Sequence, residues 1–159
     1  MSKSLVTESA KELYAVAEMD IKTVDLLHTQ PKYPEDQMYT IICFHATQAV
    51  EKFLKGYIIN NGKKIEKTHD LDYLHMIAKE IDASFSKLKV NCVLLNKFAP
   101  NLKYSSRKII TKQNMKEIIK SLEAVCNFPP IKAMRDLFSK EHKYEIVGEI
   151  MTGRVTRDA

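Results

Sequence analysis

The chain has 159 residues, 45% hydrophobic and 28% charged, with few glycines and prolines and no tryptophan. That length suits one domain with a core able to bury most of the unfolded chain's surface, and the dominance of Lys, Glu, Leu, Ile and Ala favours helices over strands. A net charge of +5 permits attraction to nucleotides, RNA or an acidic partner but requires none of them.

Thr7 is a candidate cap for a first helix over about residues 8–29, with Glu8 in its first turn and Leu13, Val16, Ala17, Ile21, Val24 and Leu27 at helical spacing. Pro31 and Pro34 break the chain, and Glu35 and Asp36 suit the start of a second helix, over about 35–60, that ends before Gly62. Thr68 or Asp70 can cap a third, with Leu71, Leu74, Ile77, Ala78 and Ile81 facing inward. "SKLKVNCVLLNKFAPN" reads as a fourth helix stopped near Pro100, followed by an irregular connection, and Thr111 caps a fifth. Pro129 and Pro130 either kink that fifth helix or begin a sixth running to about 150. The expected architecture is all-α, an up-and-down bundle of five to six helices. It forms one domain over 1–150, with a flexible tail at 151–159.

The odd trio Cys43, Cys92 and Cys126 sits among apolar residues without C-x-x-C spacing, which predicts buried thiols rather than disulfides or a metal cluster. Neither a signal peptide nor a run of about 18 apolar residues is present, so a cytoplasmic location off the membrane is expected.

The second helix poses the functional question. On a helical wheel Ile42, Ala46, Ala49, Phe53, Gly56 and Tyr57 form a broad apolar sector, extended by Cys43, Val50 and Leu54. Yet His45, Gln48, Lys52 and Lys55 fall in one sector about 80° wide, bordered by Glu51. Three readings fit such a strip. It is a partly exposed face with lysine stems lying over apolar neighbours, a buried network fixing helix register or a dimer interface, or a pocket for an anion. Gly56 in mid-helix predicts that another backbone approaches there.

"YPEDQMYTIICFHATQAVEKFLKGYIINNG", followed by "KTHDLDYLHMIAKEID", resembles the HEPN domain (higher eukaryotes and prokaryotes nucleotide-binding). Phe44, Gln48, Glu51, Lys52, Leu54, Lys55, Gly62, His69, Asp70 and Leu71 fall in register with its pattern, and Lys103 and Tyr104 resemble its later arginine-tyrosine pair. The resemblance covers about residues 8–127. It implies a helical bundle that commonly forms a homodimer, with several roles in the family. Some members bind a minimal nucleotidyltransferase, often as toxin and antitoxin; some bind nucleotides; some are metal-independent endoribonucleases using R-x4-6-H across a dimer interface. On this resemblance the chain is expected to be an accessory module binding a nucleotidyltransferase-like protein or a nucleotide, without metal or cofactor. The binding face comprises His45, Gln48, Glu51, Lys52, Lys55, His69 and Tyr104.

The alternative is an RNA-cleaving enzyme. In "RDLFSKEH", Arg135 and His142 match R-x6-H and share a helix face. Arginine supplies a permanent cation for the phosphate, and histidine a general base for the ribose hydroxyl. Other histidines carry less: His28 suits a helix end, His69 and His75 are poorly spaced for one metal, and the Glu-x-x-His in "EKTH" has no second copy.

Overall fold

The computed structural model describes residues 5–29, 35–98 and 110–149. The expectations at Pro31, Pro34, Pro100, Lys103, Tyr104 and the tail lie outside the described residues, as does the side chain of His142.

Helix α1 spans Ala10–His28. Its cap is Ser9, whose hydroxyl accepts from Glu12 N at 3.1 Å, rather than the expected Thr7. The residues before Ser9 run instead as an arm across the α2–α3 connection, where Val6 N donates to Ile65 O at 2.9 Å. Helix α2 spans Glu35–Asn60. Beyond it Gly62 adopts φ 82°, the left-handed conformation that lets the chain leave a helix, and donates back to Ile59 O at 2.9 Å.

Asp70 caps α3, Leu71–Ile81, by accepting from Asp72 N and Tyr73 N; Thr68, the other candidate, takes the amide of Asp70 instead (3.0 Å). The single fourth helix expected from the sequence is two pieces. A 3₁₀ turn over Ala83–Leu88, begun by Asp82 accepting from Ser84, leads into α4, Lys89–Asn96. Thr111 and Asn114 form a reciprocal capping box at the start of α5, Lys112–Cys126. The double proline opens a new helix, α6, Pro129–Glu149. Proline is tolerated there because first-turn amides need no intrahelical acceptor. The described chain is an all-α bundle, six helices with no strand beyond the isolated bridge of Leu5 with Glu66.

Helix α2 is central and packs on α1, α3, α5 and α6. Ala46, Ala49, Val50, Phe53, Leu54 and Ile58 have no exposed surface, which explains why this helix is apolar around most of its circumference. Ala10 lies beside Gly56 and Asp20 beside His45, so α1 and α2 run antiparallel. A Cβ on Gly56 would stand 3.4 Å from the Ala10 carbonyl oxygen, the close backbone approach that the mid-helix glycine predicts. The three cysteines are free and buried, and desolvation pushes their thiols up to about 12.

Candidate functional site

The ladder on α2 is neither a solvated strip nor a row of unpaired charges. It resolves into two units, each built on a buried carboxylate. In the first, Asp20 of α1 accepts from His45 Nδ1 at 2.8 Å and from Lys52 Nζ at 3.0 Å, and Lys52 also donates to Gln48 Oε1 at 3.0 Å. In the second, Glu51 accepts from Lys55 Nζ at 2.9 Å and from His69 Nδ1 at 2.8 Å. An ionised carboxylate only accepts, so both imidazoles carry their proton on Nδ1 and turn Nε2 away from the carboxylate.

Helical geometry sets this pairing. Gln48 and Lys52, and Glu51 and Lys55, are four residues apart and neighbours on one face. Asp20 enters from α1 because it shares the inward face of Leu13, Ala17 and Val24. His69 arrives from the connection, one residue before the Asp70 cap. The second unit is the deeper: the Glu51 side chain is 5% exposed and that of Lys55 10%. The His69 side chain is 54% exposed, so this imidazole links a buried carboxylate to solvent.

A cavity of about 350 Å³ opens beside the second unit. Val6, Glu8 and Leu13 line it from the arm and α1; Glu51, Lys52 and Lys55 from α2; Lys67, Thr68 and His69 from the connection. Three lysines, two glutamates, a threonine and a histidine thus line one recess with apolar walls at Val6 and Leu13. That set suits a ligand with a negatively charged end and an apolar portion.

The structure therefore brings Gln48, Glu51, Lys52, Lys55, His45 and His69 into one connected region. Tyr104 lies outside the described residues. Arg135 stands elsewhere, on α6. Its Nε and Nη2 each donate to Glu18 of α1 at 2.8 Å, Nη1 donates to the Cys126 carbonyl oxygen at 3.2 Å, and the guanidinium lies 5.3 Å from the centre of the Phe53 ring. The Glu18 hydrogen bonds hold Arg135 above the usual arginine range. His75 is buried and donates through Nε2 to the Phe85 carbonyl oxygen at 2.7 Å, and His28 sits in the last turn of α1.

Sequence reasoning missed Asp20, Glu8, Lys67 and Thr68 as parts of this region. Asp20 carried a usable signal, a carboxylate at an inward register of an amphipathic helix, where an unpaired charge would be costly. The others are brought in by the arm and the connection, whose paths no periodicity encodes.

The sequence model of the HEPN domain matches residues 10–132. The chain belongs to the HEPN domain family. This family is nucleotide-binding or ribonuclease-like, and its domains often dimerise. No curated protein and no solved structure gives a match. The match spans α1 to the start of α6 and includes every ladder residue, whereas Arg135 and His142 fall beyond its end. No described helix of this HEPN domain is long and apolar enough to cross a membrane.

Proposed function

We propose that this HEPN domain is an accessory binding module that takes a nucleotide in the cavity beside Glu51, Lys55 and His69. The observation that carries the reading is the convergence of Lys52, Lys55, Lys67, Thr68 and His69 on one recess of about 350 Å³. Lys55 is fixed by Glu51 and Lys52 by Asp20 and Gln48, so two of the three cations are oriented before a ligand arrives, which lowers the ordering cost of binding. Lys67 is exposed and supplies a third. His69 offers the Nε2 lone pair to a ligand hydroxyl.

Titration calorimetry with nucleoside triphosphates tests this. The parent chain releases heat, and Lys67→Ala weakens binding about fivefold, the loss of one partly screened charge contact, with melting unchanged. No heat at millimolar nucleotide removes the reading.

A second reading, docking of a protein, rests on a separate observation. Val16, Met19 and Leu26 on α1, and Ile41 and Phe44 on α2, are large apolar side chains each more than 40% exposed, and by helical register they flank the His45–Asp20 pair. Clusters of this kind mark association surfaces. A second copy of the chain or a nucleotidyltransferase-like protein would cover them, as in a toxin–antitoxin pair. The ribonuclease alternative draws less support, because Arg135 is already engaged by Glu18, the Cys126 carbonyl and Phe53.

A further inference from the structure

The wall of the cavity formed by residues 5–9 is unlike the others. Every other lining residue belongs to α1, α2 or the α2–α3 connection. The arm precedes the helix, its last residue Ser9 accepting the first helical bond from Leu13 N at 3.1 Å, and it is tied by the Leu5–Glu66 bridge, in which Val6 N donates to Ile65 O at 2.9 Å. Val6 packs partly buried against the core, while Leu5 is 44% exposed. From Ala10 onward the chain is helical, and the Ala10 carbonyl oxygen lies 3.4 Å from where a Cβ on Gly56 would stand. Ser9, in extended conformation at the cap, is the natural pivot. The HEPN match begins at residue 10, after the arm.

The arm also carries charge. Lys52, Lys55 and Lys67 line the cavity together with Glu51 and Glu8, and Asp20 pairs with Lys52 from outside the lining, so three lysines meet three carboxylates. Glu51 is committed to Lys55 and His69. Glu8 is exposed on the arm and is the one carboxylate of the lining that a movement about Ser9 would carry away. Its departure leaves one net positive charge among these lysines and carboxylates.

We infer that residues 5–9 form an autoinhibitory strap: Glu8 acts as a built-in competitor for the anionic end of the ligand, and Val6 latches it shut. The inference rests on the ligand-binding reading above. An entering polyanion meets repulsion from Glu8 and displaces the arm, so affinity is set partly by how tightly the latch holds.

The test titrates inorganic triphosphate and ATP into the parent chain, Glu8→Gln, Val6→Pro and Lys67→Ala at low and at high salt. Glu8→Gln removes only a charge from an exposed side chain, and Val6→Pro removes the donor of the latch bond. Both variants are expected to bind both probes about three- to tenfold tighter than the parent, with the Glu8→Gln gain shrinking at high salt as screening weakens it. Equal affinity of parent and Glu8→Gln at low salt overturns the strap while leaving the ligand reading intact, provided Lys67→Ala still weakens binding. Weaker binding by Val6→Pro, with Glu8→Gln unchanged, makes the arm a fixed wall of the site and likewise overturns it. No heat from any of the four chains overturns both readings together.

Discussion

Asp20 carries one charge and satisfies two donors, and so does Glu51, but the two sites differ in depth. If Asp20 becomes Asn, Lys52 keeps its bond to Gln48 and retains some exposure, its side chain being 18% accessible. If Glu51 becomes Gln, Lys55 is left as a buried cation with its carboxylate gone. Breaking a buried pair from one side is the more expensive act, about 3 kcal/mol, against about 1 kcal/mol for the partly solvated one. Urea unfolding of the two variants should therefore give a larger fall in midpoint for Glu51→Gln than for Asp20→Asn, with unchanged slopes. The reverse order would mean that the tie between α1 and α2 at Asp20 outweighs the burial of Glu51 and Lys55. The sequence displayed half of this chemistry. His45, Gln48, Lys52 and Lys55 were legible because three- and four-residue spacing puts them on one helical face. The Asp20 counter-charge was not, because it arrives from another helix and pairing across elements leaves no periodic trace, whereas His69 was reached through the family resemblance rather than through spacing.

Elements were legible where local chemistry decides them. Thr111 and Gly62 set their helix ends as their side chains or backbone freedom dictate. The start of α1 shifted from Thr7 to Ser9 because tertiary pairing of Val6 with Ile65 takes the preceding residues for another purpose. The start of the 3₁₀ turn has a local cause as well, the Asp82 carboxylate accepting from Ser84, which is easily read as an ordinary loop residue. Gly56 joins local and tertiary scales. A methyl there would meet Ala10 O at 3.4 Å, Met134 Cε at 3.7 Å and Leu13 Cβ at 3.8 Å, which is ordinary contact distance. Gly56→Ala should gain up to about 1 kcal/mol of helix propensity against a snug fit, and so melt at or slightly above the parent. Gly56→Leu has no room between α1 and α6 and should lose about 2 kcal/mol or more, as overpacked cores do. Equal melting of the Leu variant and the parent would show that α1 does not sit on α2 at this point.

At the scale of the whole molecule, α6 joins the bundle through the buried side chains of Ile131, Met134 and Phe138 and through one cation, Arg135. Arg135 spans to Glu18 on α1 with two parallel hydrogen bonds, caps the C-terminal carbonyl of α5 at Cys126, and rests over Phe53 of the central helix. A residue with this many intrachain partners is positioned to hold helices, and freeing it to meet a phosphate would mean giving up contacts to three elements. Arg135→Ala should therefore lower stability by about 2 kcal/mol, combining charge-assisted hydrogen bonds with a cation–aromatic contact. For a chain of this size that is a fall in melting temperature of roughly 5 °C. The same variants separate the two functional readings. RNA incubated with the parent chain in EDTA is expected to stay intact, with no difference between parent, Arg135→Ala and His142→Ala. Cleavage by the parent that disappears in His142→Ala would instead give the end of α6 a catalytic role. The bundle contact of Arg135 would then be a resting arrangement from which the guanidinium must be released before it could reach a phosphate.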